Sequence, residues 1–210
     1  MTLPLQNSPF GAGTQKYWER RHSLFSKWDE GVLSDEEGLY SVKPEAFALE
    51  IAQTLSGSLV LDAFCGIGGS AIGFARRGKR VVSVDCDANR LRMAKRNAEL
   101  YGVADKIDFA HGDILALYDS LCAAHDFDAL HIDPPWGGPD YYLKPSFGWS
   151  DFSPNPLPLI KKALQARLNV AVGLPANFAQ EELQKIPGKV RITEARDQTR
   201  VLFSTAYIAQ

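Results

Sequence analysis

From residue 57 onward the chain falls into short apolar runs, separated by stretches in which apolar residues return every three or four positions. The first rhythm belongs to buried strands and the second to amphipathic helices. Leu59-Val60-Leu61 predicts a strand, and a helix follows over 69–77. A β-branched strand over 80–85 leads into a long helix over 87–101. Strands over 107–111 and 127–132 flank a helix over 114–123. A helix over 158–167, a strand over 169–174, a short helix near 178–184 and two closing strands over 189–193 and 200–208 complete the series. Such alternation predicts an α/β fold: a mostly parallel sheet with helices on both faces and an antiparallel hairpin at one edge. Residues 137–158 are too rich in Gly and Pro for either rhythm and predict a long loop, a kind of segment that tends to be functional in compact domains.

Upstream the pattern is helical. Tyr17, Arg21, Leu24 and Trp28 share one face of a helix predicted over 15–30, with Trp18 and Phe25 beside it. The bland reading is that Trp18 and Phe25 pack while the charges are solvated. A second helix is expected over 45–55, after Pro44. Pro4, Pro9, Gly11 and Gly13 make 1–14 a loose tail. The expected organisation is therefore a flexible tail over 1–14, a helical extension over 15–56 and the main domain over 57–210.

Composition narrows the function classes. The 210 residues carry a net charge of −2, with a sequence pI of about 6.1. A strongly basic surface, as expected of an autonomous nucleic-acid binder, is therefore missing, and any RNA contact should involve a few local phosphates. Cys65, Cys86 and Cys122 are odd in number and lack metal-ligand spacing, which fits reduced thiols. His111, His125 and His131 share no spacing either, so no metal is expected. The opening MTLPLQNSPFGAG lacks a cationic stretch followed by an apolar run, and no apolar segment is long enough for a membrane. A soluble, intracellular protein without a membrane partner is expected, cytoplasmic or, in a eukaryote, nuclear.

The strand ends carry the candidate chemistry. The first strand runs into Asp62-Ala63-Phe64-Cys65-Gly66-Ile67-Gly68-Gly69, where glycines let a ligand approach the backbone ahead of a helix N-terminus. The second strand ends at Asp85, where an acid can hold two ribose hydroxyls. The third leads into Gly112-Asp113-Ile114, from which a carboxylate can reach an adenine amino group. Each aspartate alone also suits a helix N-cap. Together they describe a nucleoside site without a pyrophosphate, which fits S-adenosylmethionine better than NAD.

The fourth strand ends in Asp133-Pro134-Pro135-Trp136-Gly137-Gly138. An amino group on a nucleobase is a poor nucleophile, because its lone pair is delocalised into the ring. Asp133 can accept one of its hydrogens, and the carbonyl of Pro134, fixed by the ring, can accept the other. Trp136 offers a flat face for the base, worth about 1–3 kcal/mol. A proline-rich turn with a core tryptophan is the bland alternative, but the motif sits where open α/β sheets bind ligands. Tyr141 and Tyr142 either extend the stacking platform or close the loop.

These motifs, with KYWERRHSLFSKWDEG, EGLYSVKPE, LDAFCGIGGS, VDCDA, KRNAELYGVADKI and PPWGGPDY, resemble trimethylguanosine synthases, the RNA cap guanine-N2 methyltransferases. The resemblance runs from Lys16 to about Asn177. It implies a Rossmann-like class I methyltransferase sheet of seven strands with one antiparallel, S-adenosylmethionine as cofactor, and an RNA 5′ end or guanine nucleotide as partner. It implies cofactor contacts from Lys43, Pro44, Asp62, Phe64, Cys65, Gly66, Gly68, Asp85, Cys86, Asp113, Ile114 and Asp133. Substrate contacts would come from Lys16, Asn97, Trp136 and Asn177, with Lys16 and Asn97 on the cap phosphates. In the family the base is 7-methylguanine, whose positive charge adds cation–π attraction to a tryptophan, about 2 kcal/mol when desolvated.

Three positions depart from the family pattern. Asp133 stands where the family has serine, Ala176 where it has arginine, and Lys43 where it has threonine. Asp133 is the commoner choice among general amino methyltransferases. Ala176 removes a phosphate contact. Lys43 either restores positive charge or points to solvent. The rival expectation keeps the chemistry and changes the acceptor to an amino group of ribosomal or transfer RNA, DNA or a free nucleotide. A non-catalytic cofactor-binding partner is the third expectation, against which the intact Asp-Pro-Pro-Trp argues.

Overall fold

The computed structural model describes residues 7–209. Two short helical turns, α1 (Gln15–Trp18) and α2 (Arg21–Leu24), open it, followed by α3 (Glu36–Ser41) and α4 (Glu45–Thr54). Then come β1 (Leu59–Asp62), α5 (Gly69–Arg76), β2 (Arg80–Asp85), α6 (Ala88–Leu100), β3 (Ile107–His111), α7 (Ile114–Ala124), β4 (Ala129–Ile132), α8 (Leu157–Gln165), β5 (Asn169–Pro175), β6 (Lys189–Asp197) and β7 (Arg200–Ala209). The sheet order is β3-β2-β1-β4-β5-β7-β6. β1 pairs in parallel with β2 and β4, β2 with β3 and β4 with β5, while β7 runs antiparallel to both β5 and β6. This is the expected class I methyltransferase sheet. The strand order reverses between β1 and β4, which opens a crevice at their carboxyl ends.

Each sheet face is covered by its own apolar cluster. On one side Leu130, Ile132, Val170, Val172 and Ala206 meet Leu159, Ile160 and Ala163 of α8, together with Phe147 and Trp149. On the other, Val60, Val81, Ala129 and Ala171 meet Ile72 and Phe74 of α5, Ile51 of α4, and Trp18, Leu24, Phe25 and Trp28. The N-terminal extension thus shares the core of the sheet domain. No helix among the described residues is long and apolar enough to cross a membrane.

The segment expected as one helix over 15–30 departs from that expectation. Its buried face is the predicted one, but the backbone turns extended at Phe25 (φ −140°, ψ 120°) and resumes as a single turn over Trp28–Glu30. The break lets Phe25 reach both Trp28 and Tyr101, at ring-centroid distances of 6.2 and 6.0 Å. Tertiary packing overrides the local period here. α3 was not expected: it holds only six residues, with Gly38 among them, and has no amphipathic repeat. It is held by Asp35, which caps the Gly38 N–H at 2.6 Å, and by Arg90, which reaches Asp35 and Glu37. The part of the loose tail that falls within the described residues is a bonded turn. There Ser8 meets Thr14 at 2.6 Å and Thr14 is buried; residues 1–6 lie outside the described residues. The short helix near 178–184 is a 3₁₀ turn over Gln180–Lys185.

Glu45 ties the extension to the domain. It accepts bonds from the Ser26 amide and hydroxyl, from Tyr101 and from Arg76. Burial pushes its carboxyl upward, yet the Ser26 N–H, Arg76, Tyr101 and the Ser26 hydroxyl together hold it at about 2. A carboxyl depressed by folding stabilises the fold above its unfolded value of 4.5, and that contribution fades as the pH falls towards 2. Between about pH 5 and pH 2, urea unfolding should show the parent losing about 3 kcal/mol more stability than Glu45→Gln. Equal losses in the two proteins would rule this clamp out.

Candidate active site

Four of the aspartates singled out from the sequence lie at or just beyond the carboxyl ends of β1 to β4, but they are held in different ways. Asp62 is fully buried. Its Oδ2 accepts from Ser83 Oγ at 2.6 Å and its Oδ1 meets His131 Nδ1 at 2.8 Å. Its carboxylate therefore fastens β1 to β2 and β4, and it does not face a ligand as the resemblance implied. Ser83 and His131 belong to the site's support, and neither was expected from the sequence.

Asp85 closes β2 half-buried. Its Oδ2 accepts from the Gly66 N–H at 2.7 Å and its Oδ1 from the Asp87 N–H at 2.9 Å. Burial pushes its carboxyl up, and the Asp87 and Gly66 amides pull against that. Each oxygen keeps a further lone pair for a donor. The same bonds shape the Gly turn. Gly68 is left-handed (φ 94°), and a Cβ there would stand 3.1 Å from Ala94 of α6, so the turn is built around the missing side chain. Asp113 is exposed and caps α7 through the Leu115 N–H at 2.9 Å, which realises its N-cap reading while leaving Oδ2 open. Cys65 is buried and Cys86 exposed. Phe64, half-buried, packs on the core, and Ile114 lies inside it.

Asp133 follows β4. Its Oδ2 pairs with Lys43 Nζ at 3.0 Å, and the two side chains are 16% and 2% exposed. Oδ1 is buried without a hydrogen-bond partner among the described residues. It lies against Gly173 of β5, where a Cβ would fall 2.0 Å away. The Lys43 ammonium also sits 4.2 Å from the ring centroid of Phe203. Lys43 therefore neither points to solvent nor presents its charge at the surface. Its backbone carbonyl lies near Gly69 at the start of α5, 3.3 Å from where a Cβ would be. Gly173 and Phe203 were missed from the sequence. The available signal was an isolated glycine inside an apolar strand, which marks a close approach.

The loop beyond Asp133 is anchored by aromatics. Phe147, Trp149 and Phe152 are buried beside Phe178, and Trp149 Nε1 donates to the Glu182 carbonyl at 2.8 Å. Trp136 is half-buried, and Tyr141 meets it edge-on at 5.2 Å. Tyr141 closes the loop against the core, whereas Tyr142 stands 55% exposed. Asn177 donates to the Lys144 carbonyl at 2.8 Å and so braces the loop.

The residues expected on substrate phosphates separate. Lys16 is exposed, its ammonium 4.8 Å above the Tyr17 ring. Asn97 corrects the expectation. It is fully buried, accepts from the Leu33 N–H at 2.8 Å and donates to the carbonyls of Leu33 and Ile67 at 2.9 and 3.0 Å. An amide so occupied clasps the segment before α3 to the Gly turn and has no face for a phosphate.

Comparison with known proteins follows the same lines. Residues 57–209 match the family described as RNA cap guanine-N2 methyltransferase. The chain is 38% identical over 182 residues to trimethylguanosine synthase of Schizosaccharomyces pombe, covering 83% of this chain and 76% of that protein. It is 31% identical over 187 residues to trimethylguanosine synthase of Saccharomyces cerevisiae, covering 83% of this chain but 58% of that one. The crystal structure of the Pyrococcus abyssi tRNA (uracil-54, C5)-methyltransferase with S-adenosyl-L-homocysteine aligns with a TM-score of 0.54 at 19% identity, over 78% of this chain and 37% of that one. That likeness shows a shared fold.

Proposed function

The chain belongs to the RNA cap guanine-N2 methyltransferase family, and from that premise we propose that it transfers a methyl group from S-adenosylmethionine to the exocyclic N2 of a guanine at an RNA 5′ end. The observation that carries this reading is Asp133, a carboxylate with one oxygen held by a buried lysine and the other lacking a donor, next to Pro134 and Trp136.

When bound, S-adenosylmethionine supplies a methyl group on a sulfonium and leaves as the neutral thioether. The Gly66–Gly68 turn would lie along it, with Asp85 on the ribose, Asp113 and Ile114 at the adenine, and the Lys43-Pro44 backbone by the methionine end. The Gly turn's open face, the lone pairs left on Asp85 and the open Oδ2 of Asp113 suit those groups. Trp136 stacks the base. Asp133 Oδ1 and the Pro134 carbonyl accept the two N–H hydrogens, so the nitrogen lone pair points outward. The methyl group that S-adenosylmethionine would supply would go to this nitrogen, and Asp133 Oδ1 would take the surplus proton. Holding the amine in line supplies up to roughly 7–11 kcal/mol of the barrier reduction.

A second reading keeps this chemistry on a guanine without a cap. It is favoured by the internal use of Asn97 and Asn177 and by the uncharged Ala176, which leave Lys16 as the remaining expected phosphate contact. Radiolabelled methyl transfer to 7-methylguanosine-capped RNA, uncapped RNA and GTP separates the two. Label confined to capped RNA is the expected result. Label on uncapped RNA alone would replace it by the second reading, and label on none would sink both.

A further inference from the structure

The Asp133 carboxylate is not presented by its own backbone alone. Lys43 precedes α4, and an ammonium buried as deeply as this one needs a specific compensation. Here it has one carboxylate oxygen at 3.0 Å and one ring face at 4.2 Å. The backbone of the same residue lies along Gly69, beside the Gly turn. One residue therefore touches both halves of the crevice, the cofactor turn with its main chain and the acceptor carboxylate with its side chain. Asp133 in turn has no freedom to sit elsewhere without leaving that ammonium unpaired.

We propose that Lys43 is the positioning residue of Asp133. By taking Oδ2, it fixes the rotation of the carboxylate against Gly173 and leaves Oδ1 as the one carboxylate oxygen that can join the Pro134 carbonyl in accepting from the incoming amine. It also sets the spacing between that acceptor and the methyl donor. The pair is neutral as a whole, so a cationic sulfonium meets a hydrogen-bond acceptor without an isolated buried charge beside it. This inference rests on the proposed amine chemistry, though not on which guanine is methylated.

The test compares the parent chain with Lys43→Met, Asp133→Ser and the double variant, by methyl transfer, S-adenosylmethionine binding calorimetry and thermal unfolding. Lys43→Met should lower kcat about 100-fold, with KM for the RNA and the cofactor Kd within about threefold of the parent, because positioning acts on the transition state. Adding Asp133→Ser to Lys43→Met should recover about tenfold in kcat and most of the lost melting temperature, because neither charge is then left alone. A kcat close to the parent's in Lys43→Met, or a loss lying wholly in KM or Kd, would overturn the proposal. Should the parent methylate no guanine at all, the proposed function falls and the positioning role falls with it. Unfolding then judges only the pair itself: recovery in the double variant shows the two charges coupled, and additive losses overturn the coupling as well.

Discussion

Asp133→Ala is expected to lower kcat by about 10³-fold while the Kd for S-adenosylmethionine stays within about threefold of the parent's. The amine must be pyramidalised before it can attack, and Asp133 Oδ1 is the carboxylate oxygen left without a donor among the described residues. Removing it leaves the Pro134 carbonyl alone to orient two hydrogens. The same substitution strands the Lys43 ammonium, and an unpaired buried charge costs about 3–5 kcal/mol of stability. Asp133→Asn separates the two effects. The amide oxygen can still accept from Lys43 but brings no counter-charge, so only part of the stability should return. Its NH₂ cannot accept from the amine, so kcat should remain at least about 100-fold down. Single-turnover methyl transfer and urea unfolding on the three proteins measure both. A kcat within threefold of the parent for Asp133→Ala would remove Asp133 from the chemistry, whatever its effect on stability.

The parts of this molecule that were legible in its sequence are those specified by near neighbours. β2 and β3 run over Arg80–Asp85 and Ile107–His111, the expected ranges, because the β-branched run of β2 and the apolar residues and flanking turn of β3 are local signals. The carboxylates at the strand ends were legible for the same reason. What escaped depends on partners far along the chain. Asn97 looked like a substrate residue, yet its amide closes on Leu33, 64 residues away. Asp62 looked like a ligand residue, yet it is fully buried and its oxygens bond Ser83 and His131 from two neighbouring strands. Burial forces that outcome, since a polar group removed from water must find a partner. The helical period over 15–30 named the right buried face and the wrong backbone, because Phe25 turns away to reach Tyr101. Two of the three departures from the family pattern, at positions 43 and 133, prove to be one paired feature, with Lys43 and Asp133 in contact.

Gly173→Ala tests that feature from its third side. Gly173 lies inside β5, paired with Thr205 of β7. In an ordinary strand interior the exchange would stabilise the chain by about 0.5–1 kcal/mol, since glycine loses more freedom on folding. Here the added Cβ would fall 2.0 Å from Asp133 Oδ1 and 3.0 Å from its Cγ, but 3.4 Å from Lys43 Nζ, so the carboxylate has to move and the ammonium does not. The sign should therefore reverse, with a loss of about 2–4 kcal/mol as the ion pair is pulled apart. The kcat should fall about 100-fold as the acceptor leaves its seat. Combining Gly173→Ala with Asp133→Ser and Lys43→Met clears the new methyl and removes both charges together, and most of the stability should return. A stabilised Gly173→Ala with the parent's kcat would mean that Asp133 works from another position than the one Gly173 gives it.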